Sequence, residues 1–212
     1  MIQQARAQRT RDAIIAGAAA VFDRQGYSTA SIAEIASAAG VTKGALYFHF
    51  QSKDEIARAV MRQQHELSSS AAAAIIDEGR PALETMIRLC AGLVDQLVSD
   101  PVVKAGIRLT TDVSTFERPM VDPYEDWLNT VEGLIRRAHD EGDIVPTVDP
   151  GMLARFLIPA LTGVQLVSDA LSARKDLHER AREMWTIMIP GLVPADRAED
   201  LGRLLELIAA PG

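Results

Sequence analysis

The sequence contains a single cysteine, Cys90, among its 212 residues. One cysteine cannot form an internal disulfide framework, so the fold is expected to depend on an ordinary hydrophobic core. Cys90 lies in the apolar stretch MIRLCAGLV, which favours a small buried side chain over a reactive thiol. This cysteine usage is typical of a reducing compartment, and it predicts a cytoplasmic protein.

The residue spacings that build metal sites and hydrolytic sites are also missing. The four histidines show neither HxxxH nor HxxE spacing, and no cysteine–histidine metal set exists. The sequence has no GxSxG nucleophile elbow and no glycine loop suited to phosphate. We therefore expect no catalytic residues, no metal and no cofactor.

Long apolar runs are scarce as well. The first residues, MIQQARAQRTRD, are polar and basic rather than an apolar signal segment. The longest apolar stretch, Met152–Val167, is interrupted by Arg155 and Pro159 and is shorter than a bilayer requires. No membrane partner is expected.

Alternating runs of β-branched residues are few, and helical periodicity dominates, which predicts an all-α fold. Proline concentrates at the joints between the periodic segments, and Gly26 is expected to end the first of them. Besides two short helices within residues 31–50, the predicted helices are Ala7–Gln25, Lys53–Glu78, Ala82–Val98, Val102–Asp112, Pro123–Glu141, Pro150–Leu171, Leu177–Ile189 and Arg197–Ala209.

The stretch SIAEIASAAGVTKGALYFHF, residues 31–50, has the spacing of a helix-turn-helix. Ser31 and Glu34 have capping-box spacing at the start of the first helix. Gly40 is suited to a sharp turn, and Thr42 can cap a second helix, Lys43–His49. A second helix of this kind fits the DNA major groove. Because such patterns also arise by chance in helical proteins, the spacing alone leaves both DNA binding and a purely structural role open.

The charge distribution is compatible with a nucleic-acid partner at one end of the chain. The whole chain has a net charge of −7. Residues 1–53 contain six Lys or Arg and three acids, which gives +3 and leaves −10 for the remaining residues. A basic end on an acidic body is expected when only one end contacts phosphate.

The segment VTKGALYFHFQSKDEI resembles the most characteristic part of TetR-type transcriptional regulators. The resemblance continues back through GYSTASIAEIA and covers residues 13–56. It implies a three-helix DNA-binding head, residues 1–52, and a helical ligand-binding and dimerisation domain, residues 53–212. It also implies a homodimer on a pseudo-palindromic double-stranded DNA operator.

The candidate DNA-binding residues are selected by their side-chain chemistry and by the family resemblance. Lys43 lies at a helix start, where it can contact a phosphate or a guanine, and Tyr47 can donate to phosphate. Lys53 at the next helix start is expected to add a phosphate contact, with a solvated lysine as the alternative. By resemblance, the positions that face DNA are Thr42, Lys43, Gly44, Tyr47 and His49.

The later motifs RLTTDV, PYEDWL and LTGVQLVSDALSARKDL resemble those of γ-butyrolactone autoregulator receptors. That resemblance implies a repressor that leaves DNA when a small lactone binds. Trp127 stands where the subgroup has a pocket tryptophan, and a core tryptophan is the alternative. The candidate ligand-binding residues are Trp127, Thr162, Gln165, Leu89, Leu93 and Val113. The alternatives are a repressor answering another small molecule and, in a different class, a helical enzyme or ligand carrier with a vestigial DNA-binding head.

The same resemblance implies a dimer interface formed by Ala154–Leu171 and Ala198–Ala209. An apolar stripe with nothing downstream to cover it supports the second segment, although an intramolecular core face is the competing explanation. The stripe consists of Leu201, Leu204, Leu205 and Ile208. The helix Lys53–Glu78 is expected to transmit ligand binding to the head.

Overall fold

The computed structural model describes residues 2–111, 122–195, 197 and 201–208. The helices are α1 (Ile2–Thr29), α2 (Ile32–Ala38), α3 (Lys43–His49), α4 (Lys53–Asp77), α5 (Ala82–Ser99), α6 (Pro101–Thr111), α7 (Asp122–Asp140), α8 (Pro150–Ser172), α9 (Leu177–Leu192) and α10 (Leu201–Glu206). Strands are absent from the described ranges, so the predicted all-α class is confirmed.

The helix bounds follow the predicted ones closely, apart from the two ends of the chain. The first helix begins at Ile2 rather than Ala7, ahead of the apolar stripe that marked it in the sequence. Gly26 interrupts it with a left-handed φ of 78°, which places a break where the sequence predicted one. Of the last predicted helix, Arg197–Ala209, the described residues are helical over Leu201–Glu206.

The chain divides into two compact units. The head unit comprises residues 1–69 and 99–120, and the body unit comprises residues 70–98 and 121–212. The predicted domain boundary lay between residues 52 and 53. In the structure the head unit also includes the first part of α4 and the whole of α6, which is distant in sequence.

The head unit has one apolar core. The inward-facing residues of α1 recur at helical spacing and are completely buried, and they are Ile14, Ala18, Val21 and Phe22. Helix α3 adds buried Leu46. Further core residues come from α4 and α6, and they are Ile56, Ala57, Val60, Met61, Ala105 and Leu109. Helix α6 is therefore a structural part of the head.

Arg108 and Gly106 determine how α6 packs against α1 and α4. The guanidinium of Arg108 donates to the carbonyl of Asp23 at 2.6 Å, next to the Gly26 break in α1. On the side facing α4, a Cβ at Gly106 would lie 2.3 Å from the Cβ of Gln64. Glycine at this position therefore permits α6 and α4 to pack in close contact.

The body unit contains α5, α7, α8, α9 and α10, together with the end of α4. The Asp176 carboxylate accepts hydrogen bonds from Ser168, Ser172 and Arg180, which together fasten the turn between α8 and α9. Cys90 is buried in α5, and this burial raises the pKa of its thiol to about 11. The predicted burial of Cys90 is confirmed.

The proposed use of the C-terminal leucine stripe as a dimer interface is wrong for two of its members. Leu204 and Ile208 are only 7% and 1% exposed within a single chain. They pack inside the body unit, which is the competing explanation. An apolar stripe on a helix has the same spacing whether it covers its own core or a partner's, so the sequence could not distinguish the two.

The close approach of α1 to the end of α2 requires glycine at position 17. A Cβ at Gly17 would lie 2.6 Å from the backbone nitrogen of Ala39, a distance that real Cβ atoms essentially never show. Because the clash is with backbone, no side-chain rotation can relieve it. Gly133 in α7 differs, since a Cβ there meets nothing within 4 Å.

We expect Gly17→Ala to destabilise the protein by about 1–3 kcal/mol, the usual cost of overpacking. The matched variant Gly133→Ala should stabilise it by up to about 1 kcal/mol, because alanine favours helix over glycine. Urea unfolding followed by circular dichroism measures both. Equal midpoints for the two variants would contradict the close backbone contact.

Candidate nucleic-acid interface and ligand site

The helix-turn-helix begins with the predicted capping box. The Ser31 hydroxyl accepts from the backbone nitrogen of Glu34 at 3.2 Å, and the Ser31 backbone nitrogen donates to the Glu34 carboxylate at 3.0 Å. Hydrogen bonds from Ser31 hold the pKa of the Glu34 carboxyl below its ordinary value. Ser31 therefore has the structural role predicted for it, and α2 begins at a fixed residue.

The turn and the second cap also follow the prediction. Gly40 adopts a left-handed φ of 66°, which few other residues tolerate. The nitrogen of Val41 then donates to the carbonyl of Ala36 at 3.0 Å. The Thr42 hydroxyl accepts from Ala45 at 3.1 Å and caps α3. These bonds fix the start of α3 relative to α2.

Helix α3 has one buried side and one exposed side. Leu46 and the adjacent Phe50 are completely buried. The exposed side carries most of the predicted DNA contacts, namely Thr42, Lys43, Gly44 and Tyr47, while His49 is half-buried. The Lys43 ammonium has no hydrogen-bond or ion-pair partner within the described part of the chain. The Lys43 ammonium and the Tyr47 phenol are thus exposed on one face of α3.

Among the described residues, none accounts for a glycine at position 44 on this exposed face. Its φ is not left-handed, and a Cβ there would meet only the Thr42 hydroxyl, at 3.9 Å. A glycine inside a helix costs about 0.5–1 kcal/mol relative to alanine. Position 44 thus leaves the α3 backbone open to close approach from the solvent side.

Lys53 does not have the free position that a phosphate contact needs. Its ammonium donates to the carbonyl of Tyr27 at 2.8 Å and to that of Ala30 at 2.9 Å. The same ammonium lies 4.4 Å from the centroid of the Tyr27 ring, in a cation–π contact. Lys53 thus joins the start of α4 to the end of α1, and we do not include it among the proposed DNA contacts.

Five of the six predicted ligand-binding residues lie in the body unit, and Val113 lies outside the described residues. Leu89 and Leu93 are half-buried on α5. Trp127 is half-buried on α7, which packs directly against α8. Thr162 on α8 is half-buried, and its hydroxyl donates to the carbonyl of Ile158 at 2.9 Å.

Gln165, the remaining candidate, is buried on α8 with only 2% of its surface exposed. Within the described ranges, neither its amide nitrogen nor its amide oxygen has a hydrogen-bond partner. Leaving such a group buried and unpaired costs about 1–3 kcal/mol. A primary amide in this state can offer both a donor and an acceptor to a bound molecule.

A shallow cleft elsewhere in the body unit contains none of these candidates. Its walls combine apolar and charged residues, and they include the buried carboxylates of Glu84 and Asp143. Ion pairs with Arg80 and Arg88 neutralise Glu84, and Arg197 pairs with Asp143. Both buried carboxylates therefore already have partners within the body unit.

Two family models match the chain, one over each part. The model "Bacterial regulatory proteins, tetR family" covers residues 14–60, and "Tetracyclin repressor-like, C-terminal domain" covers residues 80–194. The chain belongs to the TetR family. Its DNA-binding head and helical body are therefore the two parts of a TetR-family regulator.

Relatives of this TetR-family protein include lactone receptors. The A-factor receptor protein of Streptomyces griseus is 36% identical over 192 residues, which are 91% of this chain and 67% of that protein. A solved γ-butyrolactone receptor, described as ArpA-like, is 33% identical with a TM-score of 0.78, over 96% of this chain and 95% of that one. CprB of Streptomyces coelicolor, solved with its biological operator sequence, is 33% identical with a TM-score of 0.85, over 97% of this chain and 100% of that one.

Two features of the TetR-family head are absent from the sequence-based predictions. Helix α6 was not assigned to the head, since nothing local to residues 101–111 indicates contact with a helix about 80 residues earlier. Phe48 was not among the predicted site residues, although 80% of its surface is exposed. Its position between Tyr47 and His49, one turn after Gly44, was the signal that could have found it.

We expect Lys53→Met to lower the stability of the protein by about 1–3 kcal/mol, because the carbonyls of Tyr27, Ser28 and Ala30 lose a charged donor. The exposed Lys43→Met variant should stay within about 0.5 kcal/mol of the parent, as surface changes usually do. Urea unfolding of the two variants and the parent provides the comparison. If both lysine variants unfold at the parent's midpoint, the structural role of Lys53 is refuted.

Proposed function

We propose that this protein is a transcriptional repressor that releases a pseudo-palindromic operator when a γ-butyrolactone-type signal binds to its body. The observation that carries the proposal is the exposed face of α3, where Gly44 leaves the backbone bare beside Lys43 and Tyr47. Backbone phosphates and base edges in a major groove need such close approach. The A-factor receptor and the operator-bound CprB among the relatives support the same function.

The ligand proposal rests on the amide of Gln165. A lactone carbonyl can accept from its N–H, and a hydroxyl on the signal can donate to its C=O. Thr162, three residues earlier on α8, shares this side of the helix and adds a second polar group. Trp127, Leu89 and Leu93 would supply apolar wall for an acyl chain.

Release requires that the ligand bind more tightly to the form whose heads do not fit DNA. A coupling of about 1–3 kcal/mol would weaken DNA binding about 5–150-fold. We propose that α4 transmits the change, because it is continuous from Lys53 to Asp77 and contributes to both units. The Gly106–Gln64 contact makes α6 a second element that must move with it.

A homodimer would place two recognition helices on successive major grooves. The proposed interface is the exposed apolar face of α8, extended by Ile187 of α9, which is 81% exposed. The exposed α8 residues recur at helical spacing, and they are Met152, Phe156, Leu166, Val167 and Leu171. By length and composition, α8 is also long and apolar enough to cross a bilayer. An exposed apolar face of this kind marks an interaction surface. We propose that a second copy covers it and that the protein works in the cytoplasm.

We expect Gly44→Ala to weaken DNA binding about tenfold or more, because the added methyl separates two closely packed surfaces. The same variant should be up to about 1 kcal/mol more stable, since alanine favours the helix. Mobility shifts on DNA upstream of the protein's own gene, or on duplexes selected from random DNA, measure the affinity. Lys43→Ala should weaken binding without unfolding, and unchanged affinity in both variants would refute the assigned DNA face.

We expect a γ-butyrolactone preparation to abolish the mobility shift of the parent protein. Gln165→Leu should respond at least about tenfold less, because it removes both polar atoms. It should also make the ligand-free protein more stable by about 1 kcal/mol or more, since the unpaired amide is gone. Thr186→Val, exposed on α9, is the matched control and should respond like the parent.

Two outcomes would count against the ligand proposal. A shift that lactone leaves untouched would keep the DNA-binding regulator and indicate another small molecule. An undiminished response in Gln165→Leu would remove Gln165 from the site. Spin labels at the exposed Ser37→Cys position of the two heads test transmission, and an unchanged distance on adding lactone would contradict it.

We expect Phe156→Arg to convert a dimer into a monomer and to lower DNA affinity sharply, because charge would enter an apolar interface. Light scattering at micromolar concentration measures the mass. Met152→Gln, at the edge of the same face, is a milder change that should leave a measurable dimer. A monomeric parent protein would contradict the proposed interface.

A further inference from the structure

Phe48 leaves 80% of its surface in solvent, although phenylalanine is normally a core residue. The neighbouring core residues Leu46 and Phe50 are fully buried, so the head unit does not lack room for apolar side chains. An exposed phenyl ring at this site therefore needs an explanation outside the intramolecular core.

The position of Phe48 identifies the surface it can meet. It follows Gly44 by four residues, which places the two on one face of α3. At Gly44 no side chain covers the α3 backbone, and Tyr47 is exposed beside it. The ring thus lies on the same exposed face of α3 that would meet the major groove.

A second ring limits the orientations of Phe48. The His49 imidazole lies edge-on against it, with ring centroids 5.2 Å apart and an interplanar angle of 88°. Edge-to-face pairs of this kind are favourable. Phe48 is therefore partly ordered before any partner arrives.

A phenyl ring has neither a hydrogen-bond donor nor a conventional acceptor, so it cannot read the polar edges of the bases. In the major groove the apolar group that base pairs present is the C5-methyl of thymine. We propose that Phe48 reads a thymine in each half-site by packing against its C5-methyl group. This inference rests on the proposed DNA-binding function and adds a specificity-determining contact to it.

The test replaces thymine by deoxyuridine, which removes only the methyl group. Duplexes selected from random DNA by the full-length protein are resynthesised with one thymine per half-site exchanged, one position at a time. Loss of the buried methyl should weaken binding of the parent about fourfold per half-site at one position. Phe48→Ala should bind more weakly and should no longer distinguish thymine from deoxyuridine at that position.

Two control variants separate this contact from a general loss of affinity. Lys43→Ala should bind more weakly yet keep the parent's preference for thymine, because it leaves the ring in place. Phe48→Leu retains an apolar side chain and should keep part of the preference. Since Phe48 is exposed, its variants should unfold at the parent's urea midpoint, which verifies that they are folded.

The outcomes distinguish failure of the proposed DNA-binding function from failure of the Phe48 contact alone. If no duplex is selected at all, the proposed DNA-binding function fails, and this inference fails with it. If a duplex is selected but no thymine is sensitive in the parent, the Phe48 contact alone is overturned. The contact is also overturned if Phe48→Ala keeps the same preference for thymine as the parent.

Discussion

The contact between the α1 backbone at Gly17 and the α2 end at Ala39 is the constraint on which the head depends. Helix α3 has only seven residues, and helices of that length are not stable alone in water. Its position must therefore come from its neighbours. The turn that leads into it is held against α1 because position 17 has no side chain. Buried Leu46 and Phe50 then fix the side of α3 that faces inward, and hence the side that faces out.

The residues on the exposed side of α3 lower the stability of the helix. Gly44 weakens the helix, and Phe48 exposes apolar surface that gains nothing from the core. Compensation comes from groups around the helix rather than within it. The Thr42 cap satisfies the first turn, and Lys53 draws together the carbonyls at the end of α1. Residues that weaken a helix are expected where they serve a function.

The helices and their caps could be predicted from local patterns, because capping and periodicity depend on residues three or four apart. The capping box at Ser31 and the left-handed Gly40 are examples. The hydrogen bonds of Lys53 could not be predicted, because its partners lie more than 20 residues earlier and are backbone carbonyls, which leave no mark in the side-chain pattern. Gln165 was found as a polar residue on an apolar helix, but only the fold shows that its amide is buried and unpaired.

Helix α6 has a consequence for how such regulators can be recombined. Its residues Ala105 and Leu109 belong to the core of the head, and Arg108 supplies a donor to the α1 carbonyl at Asp23. The DNA-reading part is therefore discontinuous along the chain. A chimera that joins residues 1–52 to the body of another regulator would inherit that body's own α6, and the two would have to match in shape. Exchange of DNA specificity between relatives is thus governed by a helix that never needs to touch DNA.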